Sequence, residues 1–208
     1  MSDFVYLASQ SPRRRQLLEQ MGVRHELLLP DAHEDAEAIE AVLPGESPST
    51  YVQRVTQLKL DAALARLQRR GWPPAPVVCS DTTVALGRLI LGKPADADDA
   101  RRMLALLSGK THRVLTAVAI GSPAAAGSSV QERRLQTLSV SRVTFEPLTP
   151  AQLDTYVGSG EPMGKAGAYA VQGLAACHIA RISGSYSGIM GLPVFETAQL
   201  LRALGWGG

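Results

Sequence analysis

The sequence predicts a mixed α/β fold, and three observations carry that prediction. Strand-like and helix-like patterns are interleaved along the whole chain, with no internal repeat and no low-complexity tract. The helix-like stretches open on recognisable caps, Ser11-Pro12, Ser47-Pro48, Asp96 and Thr149-Pro150. At 208 residues, 45% hydrophobic and 19% charged, the chain has the composition of a soluble globular protein and can bury a substantial core. One domain spanning residues 1–208, or two small lobes, is expected.

The elements follow in order. Residues 4–8 read as a short buried strand, and Ser11 and Pro12 then start a helix with Leu17, Leu18 and Met21 at helical spacing and Gly22 as a stop. Arg13, Arg14 and Arg15 fall in its first turn, where the macrodipole disfavours cations. A bound anion would explain them, and so would plain solvation on an exposed face. Residues 25–29 form a second strand candidate, followed by an acidic loop with Asp31, Glu34, Asp35 and Glu37. Ser47-Pro48 opens a long helix to about Arg70, with Lys59 beside its apolar stripe, where a lysine ordinarily snorkels.

GWPPAP at 71–76 is a firm break. Residues 79–94, CSDTTVALGRLILGKP, then read as a hairpin turning at Gly87-Arg88, with Asp81 at a strand end and Lys93 brought to the same mouth. An amphipathic helix spans 96–107, a strand 111–120, a flexible hairpin loop 121–129 and the partner strand 135–145. A short helix to about Val157, a glycine-rich loop at 159–173, a strand at 177–182, a GSYSGIMGLP turn and a final helix at 194–204 complete the chain.

Charge and cysteines narrow the function. The 21 basic and 19 acidic residues leave a formal +2, too balanced for a nucleic-acid coat. Cys79 and Cys177 sit in apolar runs, form no CxxC pair and read as buried free thiols. The first residues reverse the order of a secretory signal, and no apolar run approaches the roughly 20 residues of a membrane span. A cytoplasmic protein without membrane contact is expected.

Several familiar motifs fail. Gly87 to Lys93 has P-loop spacing, but Pro94 stands where a hydroxyl must meet Mg²⁺, and no helix opens there. His25, His33, His112 and His178 are scattered, without HExxH or thiol pairs, and no GxSxG elbow supports a serine nucleophile. What remains is a set of polar groups at element ends that their arrangement alone does not pick out and the resemblance described next does: Ser9, Ser11, Arg13, Arg14, Glu34, Lys59, Asp81, Thr82, Lys93, Lys165 and Gln172. Cations for a polyphosphate, carboxylates for a hard metal and an amide for a base edge would together make a nucleoside triphosphate site.

The segments LASQSPRRRQLL, SDTTVAL…ILGKP, LSGKTHRVLTAVAI, GKAGAYAVQG and GSYSGIMGLP resemble, in order and over nearly the whole chain, the Maf family of nucleoside triphosphate pyrophosphatases. The resemblance implies an elongated mixed α/β fold akin to the inosine triphosphatases: a long mixed sheet, two lobes flanking a central cleft, and a homodimer. AGAY-x-x-Q-G looks like the branch that hydrolyses dTTP and UTP. Carried over by position, Asp81 matches the catalytic acid, and Arg13, Thr82 and Gln172 match the specificity positions. Ser9, Ser11, Arg14, Lys59, Lys93 and Lys165 fall to the phosphate part of the pocket. Glu34 and Asp81 fall to a divalent metal, Mg²⁺ or Mn²⁺. Three positions depart from the family pattern: Gln10 for Gly, Gly164 for the Asp before the Lys, and Ser187 for Asn.

The implied reaction is metal-assisted cleavage between the α and β phosphates, releasing pyrophosphate. An amide at Gln172 can satisfy both O4 and N3–H of thymine or uracil and mismatches cytosine. The competing expectation is a nucleotide- or nucleic-acid-binding regulator of septum formation without catalysis, using the arginine pairs at 69–70, 101–102 and 133–134.

Overall fold

The computed structural model describes residues 2–31, 34, 38–123 and 132–206. Residues 124–129 of the expected hairpin loop, and His33, Asp35 and Glu37, lie outside the described residues. Among the described residues, seven strands form one mixed sheet in the order β2-β1-β3-β5-β6-β7, with β4 paired to β3 off that path. β1 (Val5–Leu7) runs parallel to β2 (His25–Leu27) and to β3 (Val77–Leu86). β4 (Leu89–Leu91), β5 (Thr111–Ser122), β6 (Arg133–Phe145) and β7 (Ile179–Ser183) pair antiparallel with their neighbours.

β3 is the organising strand. β5 follows one of its edges from Val77 to Ala85. On the other edge β1 takes Val77 and Val78, and β4 takes Val84 to Leu86. A strand has two hydrogen-bonding edges, so residues 79–83 face no strand on that side. Asp81 lies in this gap, inside a ten-residue strand and not at its end as expected. The run Ser-Asp-Thr-Thr reads as a polar terminus, but its hydroxyls are satisfied within the sheet. The Ser80 hydroxyl lies 2.8 Å from the Ala117 carbonyl, and Thr82 meets the Thr116 hydroxyl at 3.0 Å.

The two faces of the sheet are covered differently. α2 (Pro48–Arg70) lies on one face, packing Leu60, Ala63 and Leu64 against Val77, Cys79 and Ala119. Where α2 crosses β5 there is no room for a side chain: a Cβ on Gly121 would sit 2.9 Å from Leu64. The other face carries two clusters. α1 (Pro12–Gln20) and α6 (Val194–Ala203) bury Leu17, Leu18 and Leu201 against Val5, Val78 and Ile120. α3 (Ala97–Leu107) and α4 (Pro150–Gly158) bury Met103, Leu104 and Tyr156 against Val84, Val143 and Phe145. The cleft opens between these clusters, at the gap in β3.

The predicted caps form at most helix starts. Ser47, Asp96 and Thr149 each accept a backbone N–H, and Thr149 completes a capping box with Gln152. Ser11 is an exception: its side chain makes no cap bond, and its own N–H is donated to the Ser9 hydroxyl at 3.2 Å. The glycine-rich loop contains one short 3₁₀ turn, Ala166–Ala168, and a second, Leu174–His178, follows it directly. GSYSGIMGLP holds a short helix, α5 (Tyr186–Met190), capped by Ser185, where a plain turn was expected. Cys79 is buried as predicted, whereas Cys177 is exposed because it falls in one of the 3₁₀ turns and not in β7. No helix among the described residues is long and apolar enough to cross a membrane.

Candidate active site

The cleft has a volume of about 680 Å³ and is lined by residues from every part of the chain. Ser9, Ser11, Arg13, Arg14, Glu34, Lys59, Asp81, Thr82, Lys93, Lys165 and Gln172 all reach its wall. Side chains alternate along β3, so Asp81 faces the α2 side and Thr82 the α1 side. The cleft therefore crosses the sheet through the gap.

On the α2 side the geometry is a charge network. Lys59 donates to Asp81 Oδ1 at 2.6 Å and to Glu40 Oε1 at 2.7 Å, and Lys93 reaches Glu40 Oε2 at 3.2 Å. Burial alone would raise the Glu40 carboxyl, but Lys59 and Lys93 outweigh it and hold it below the usual carboxylate range. Glu40 is held by its backbone too, since the Tyr51 hydroxyl donates to its carbonyl at 2.9 Å. That bond ties Glu40 to the helix that carries Lys59.

Glu34 reaches the cleft wall but not this network. Its carboxylate accepts from Arg66 at 3.0 and 2.5 Å and from Arg69 at 2.7 Å. The Arg66 guanidinium pulls the Glu34 carboxyl down to about 2. The acid that stands across Lys59 from Asp81 is Glu40, which sequence reasoning missed. Six acids crowd the segment between β2 and α2, and nothing in their spacing singles one out.

On the α1 side the three arginines divide. Arg14 donates to the Gly191 carbonyl at 2.9 Å and to the Ser9 hydroxyl at 3.1 Å, and desolvation lowers its pKa. Arg13 donates to the Met190 carbonyl at 3.4 Å, and Arg15 lies exposed, 3.8 Å from Glu19. Arg15 fits the solvated reading, while Arg13 and Arg14 line the cleft, where an anion would have to bind. Thr82 and Thr116 continue this side, with Thr116 donating to the Gly188 carbonyl at 2.7 Å.

The loop carrying Lys165 and Gln172 closes the far wall. Gly167 has φ +68°, its N–H is donated to the Gly92 carbonyl at 3.0 Å, and a Cβ there would sit 2.8 Å from Val84. Ala168 is held at φ +61°, a strained conformation for a residue with a Cβ. Lys165 donates to the Glu161 carbonyl at 2.6 Å, and desolvation lowers its pKa. The Glu161 carboxylate accepts from the Tyr156 hydroxyl at 2.8 Å and from Leu174 N–H at 2.9 Å. Behind the loop, the buried His112 Nε2 lies 2.8 Å from the Tyr169 hydroxyl, and burial pushes the imidazole down to about 4. Glu40, Glu161, His112 and Tyr169 were not singled out as site residues from the sequence. His112 and Tyr169 sit inside the resembling motifs, which is the one signal that pointed toward them, and Glu161 lies just ahead of one.

Asp81 and Glu40 are hard oxygen donors on either side of one cation, in a cleft with room for further oxygens. That donor set suits Mg²⁺ or Mn²⁺ completing its shell with phosphate and water. Among the described residues there is no cluster of three metal-ligating side chains, and Asp81 and Glu40 are the two carboxylates that flank Lys59. Of the arginines weighed for nucleic acid, Arg133 donates to the Ala203 carbonyl at 2.9 Å and the others are engaged with acids. Arg69 and Arg70 meet Asp31 and Glu34, Arg101 meets Asp154, Arg102 meets Asp99, and Arg134 meets Asp61.

A mixed sheet broken at one edge of a central strand, with carboxylates and cations gathered in the break, defines an α/β protein built around a charged-ligand cleft. The family described as Maf-like protein matches residues 4–204, and the chain belongs to it. A protein of Albidiferax ferrireducens named dTTP/UTP pyrophosphatase is 68% identical over 99% of both chains. Proteins of the same name from Polaromonas sp. and Cupriavidus metallidurans are 66% and 62% identical, over 98% and 99% of this chain and 97% and 98% of theirs. A crystal structure of a nucleoside-triphosphatase from Mycobacterium abscessus aligns at TM-score 0.35 and 15% identity over 67% of this chain and 73% of its own, too low to argue from.

Proposed function

We propose that this protein hydrolyses dTTP and UTP to the monophosphate and pyrophosphate. The observation that carries the reading is the Glu40–Lys59–Asp81–Lys93 network, set in the β3 gap of a chain 68% identical to a dTTP/UTP pyrophosphatase. Asp81 orients the attacking water and accepts its proton. Lys93, Arg13 and Lys165 neutralise the triphosphate and the departing pyrophosphate. Gln172, at the loop wall, reads the O4 and N3–H edge of the base, and Thr82 lies beside it in the cleft. Asp81 and Glu40 hold the divalent cation; Glu34, with both oxygens committed to guanidiniums, stays a structural anion. Held by Asp81 and Glu40, Mg²⁺ or Mn²⁺ would supply Lewis acidity to the water and to the α-phosphorus centre. An ordinary aspartate is a weak base at neutral pH, which is why the reaction needs that help.

The test is a panel of nucleoside triphosphates with Mg²⁺ and direct detection of pyrophosphate. The wild type should release pyrophosphate from dTTP and UTP and little from CTP, and Asp81→Asn should lower that release about a hundredfold or more. Release of inorganic phosphate instead of pyrophosphate would overturn the reaction. A near-wild-type rate in Asp81→Asn would remove Asp81 from its role.

A further inference from the structure

Lys59 is the unusual member of the network. A single ammonium is shared by two carboxylates from different elements, Asp81 on β3 and Glu40 ahead of α2, at 2.6 and 2.7 Å. The three side chains are mostly shielded from water, with 21% of Lys59, 28% of Glu40 and 12% of Asp81 exposed. Two ionised carboxylates so placed repel unless a cation stands between them. Lys59 supplies that cation from the chain itself, on a flexible four-carbon stem that can be redirected. The arrangement is built from both ends: Tyr51 fixes Glu40 from the same helix that delivers Lys59.

We propose that Lys59 is a resident counter-cation that reserves the Asp81–Glu40 pair for a metal ion arriving with the nucleotide. The proposal rests on the pyrophosphatase reading and adds an order of events to it. A free divalent ion entering the pair meets an ammonium already seated there, and the two positive charges oppose one another. A triphosphate changes the balance, because its oxygens accept the Lys59 ammonium and leave the carboxylates to the metal. Metal and nucleotide then bind with strong mutual coupling, and the protein alone takes up little metal. Lys59 is a positioning residue in the ligand-free state and a phosphate contact afterwards.

The measurement is Mn²⁺ binding by loss of the free-ion electron paramagnetic resonance signal, with and without a non-hydrolysable α,β-methylene dTTP analogue. Wild type should bind Mn²⁺ weakly alone and about tenfold more tightly with the analogue. Lys59→Met, similar in length but uncharged, should bind Mn²⁺ about tenfold more tightly than wild type without nucleotide. Lys59→Arg should stay weak, and adding Glu40→Gln to Lys59→Met should erase the gain. Equal or weaker nucleotide-free binding in Lys59→Met would overturn the proposal. If that variant does not fold by circular dichroism, Lys59→Gln takes its place under the same criterion. Should the wild type release no pyrophosphate from any nucleotide, the activity reading falls, while the nucleotide-free comparison still decides the role of Lys59.

Discussion

On the α2 side of the cleft, side chains are held by opposite charges; on the loop side, they are held by backbone shape. Asp81, Glu40, Lys59 and Lys93 form a chain of ion pairs that rests on a long helix and a central strand. The Lys165–Gln172 wall has positive φ at Gly167 and Ala168, and Glu161 and His112 pin it from behind. Charged contacts adjust when a ligand brings new charge. A strained, close-packed backbone does not. The contrast suits a site that must rearrange around phosphate yet keep a fixed edge for a base.

The sharpest way to break this contrast is to treat two acids as interchangeable. Glu40→Gln should lower pyrophosphate release about a hundredfold, because it removes a charge from the reacting side. Glu34→Gln should leave the rate nearly unchanged and lower the unfolding free energy by about 2 kcal/mol, since Arg66 is buried and loses its counter-ion. Steady-state kinetics and urea denaturation on both variants check the pair. The reverse pattern would place the reacting charge at Glu34.

A second test strikes the loop. Gly167→Ala should destabilise the protein by about 2 kcal/mol, because the new methyl meets Val84 and φ +68° is strained for a residue with a Cβ. KM for UTP should rise more than kcat falls, since the charge network is left in place. An unchanged KM and melting temperature would show that the loop wall is not held by shape.

The smallest expected effect is a pH limb. His112 titrates near 4 in the fold, against an ordinary value of 6.5. Between those values the unfolded chain binds the proton more readily, so stability is full above pH 6.5 and is lost as pH falls toward 4. At pH 5.5 the loss from this group should be about 1 kcal/mol relative to neutral pH. His112→Phe should flatten that limb in urea denaturation at pH 5.5 and 7.5. A limb that survives the substitution would belong to another group.

Much of the fold was legible because its signals are local. Ser47-Pro48, Asp96 and Thr149-Pro150 start helices where caps predict them, and the Gly87-Arg88 turn joins β3 to β4. The resemblance pointed to Asp81 as the acid, but the sequence misread its setting. The polar run that looked like a strand end is satisfied by Thr116 and by the Ala117 carbonyl, partners more than 30 residues away. Glu40 was illegible for a related reason. Its selection over Glu34 depends on where Arg66 and Lys59 point from successive turns of α2, which spacing in the acidic segment does not encode. The exposure of Cys177 escaped notice because apolar neighbours suggested a strand where the chain makes a 3₁₀ turn.

The Gly191 carbonyl accepts from Arg14, 177 residues away, and lies 2.9 Å from the Ser80 hydroxyl. A ribosome delivers Arg14 and Ser80 long before it delivers Gly191, so the growing chain carries its acid and its arginines with one wall missing. Interrupted synthesis between the end of β3 and the α5–α6 turn leaves a protein that has Asp81 but no finished cleft. Competence is thereby tied to completion, and a prematurely released product is expected to leave the cell's nucleotide pool untouched.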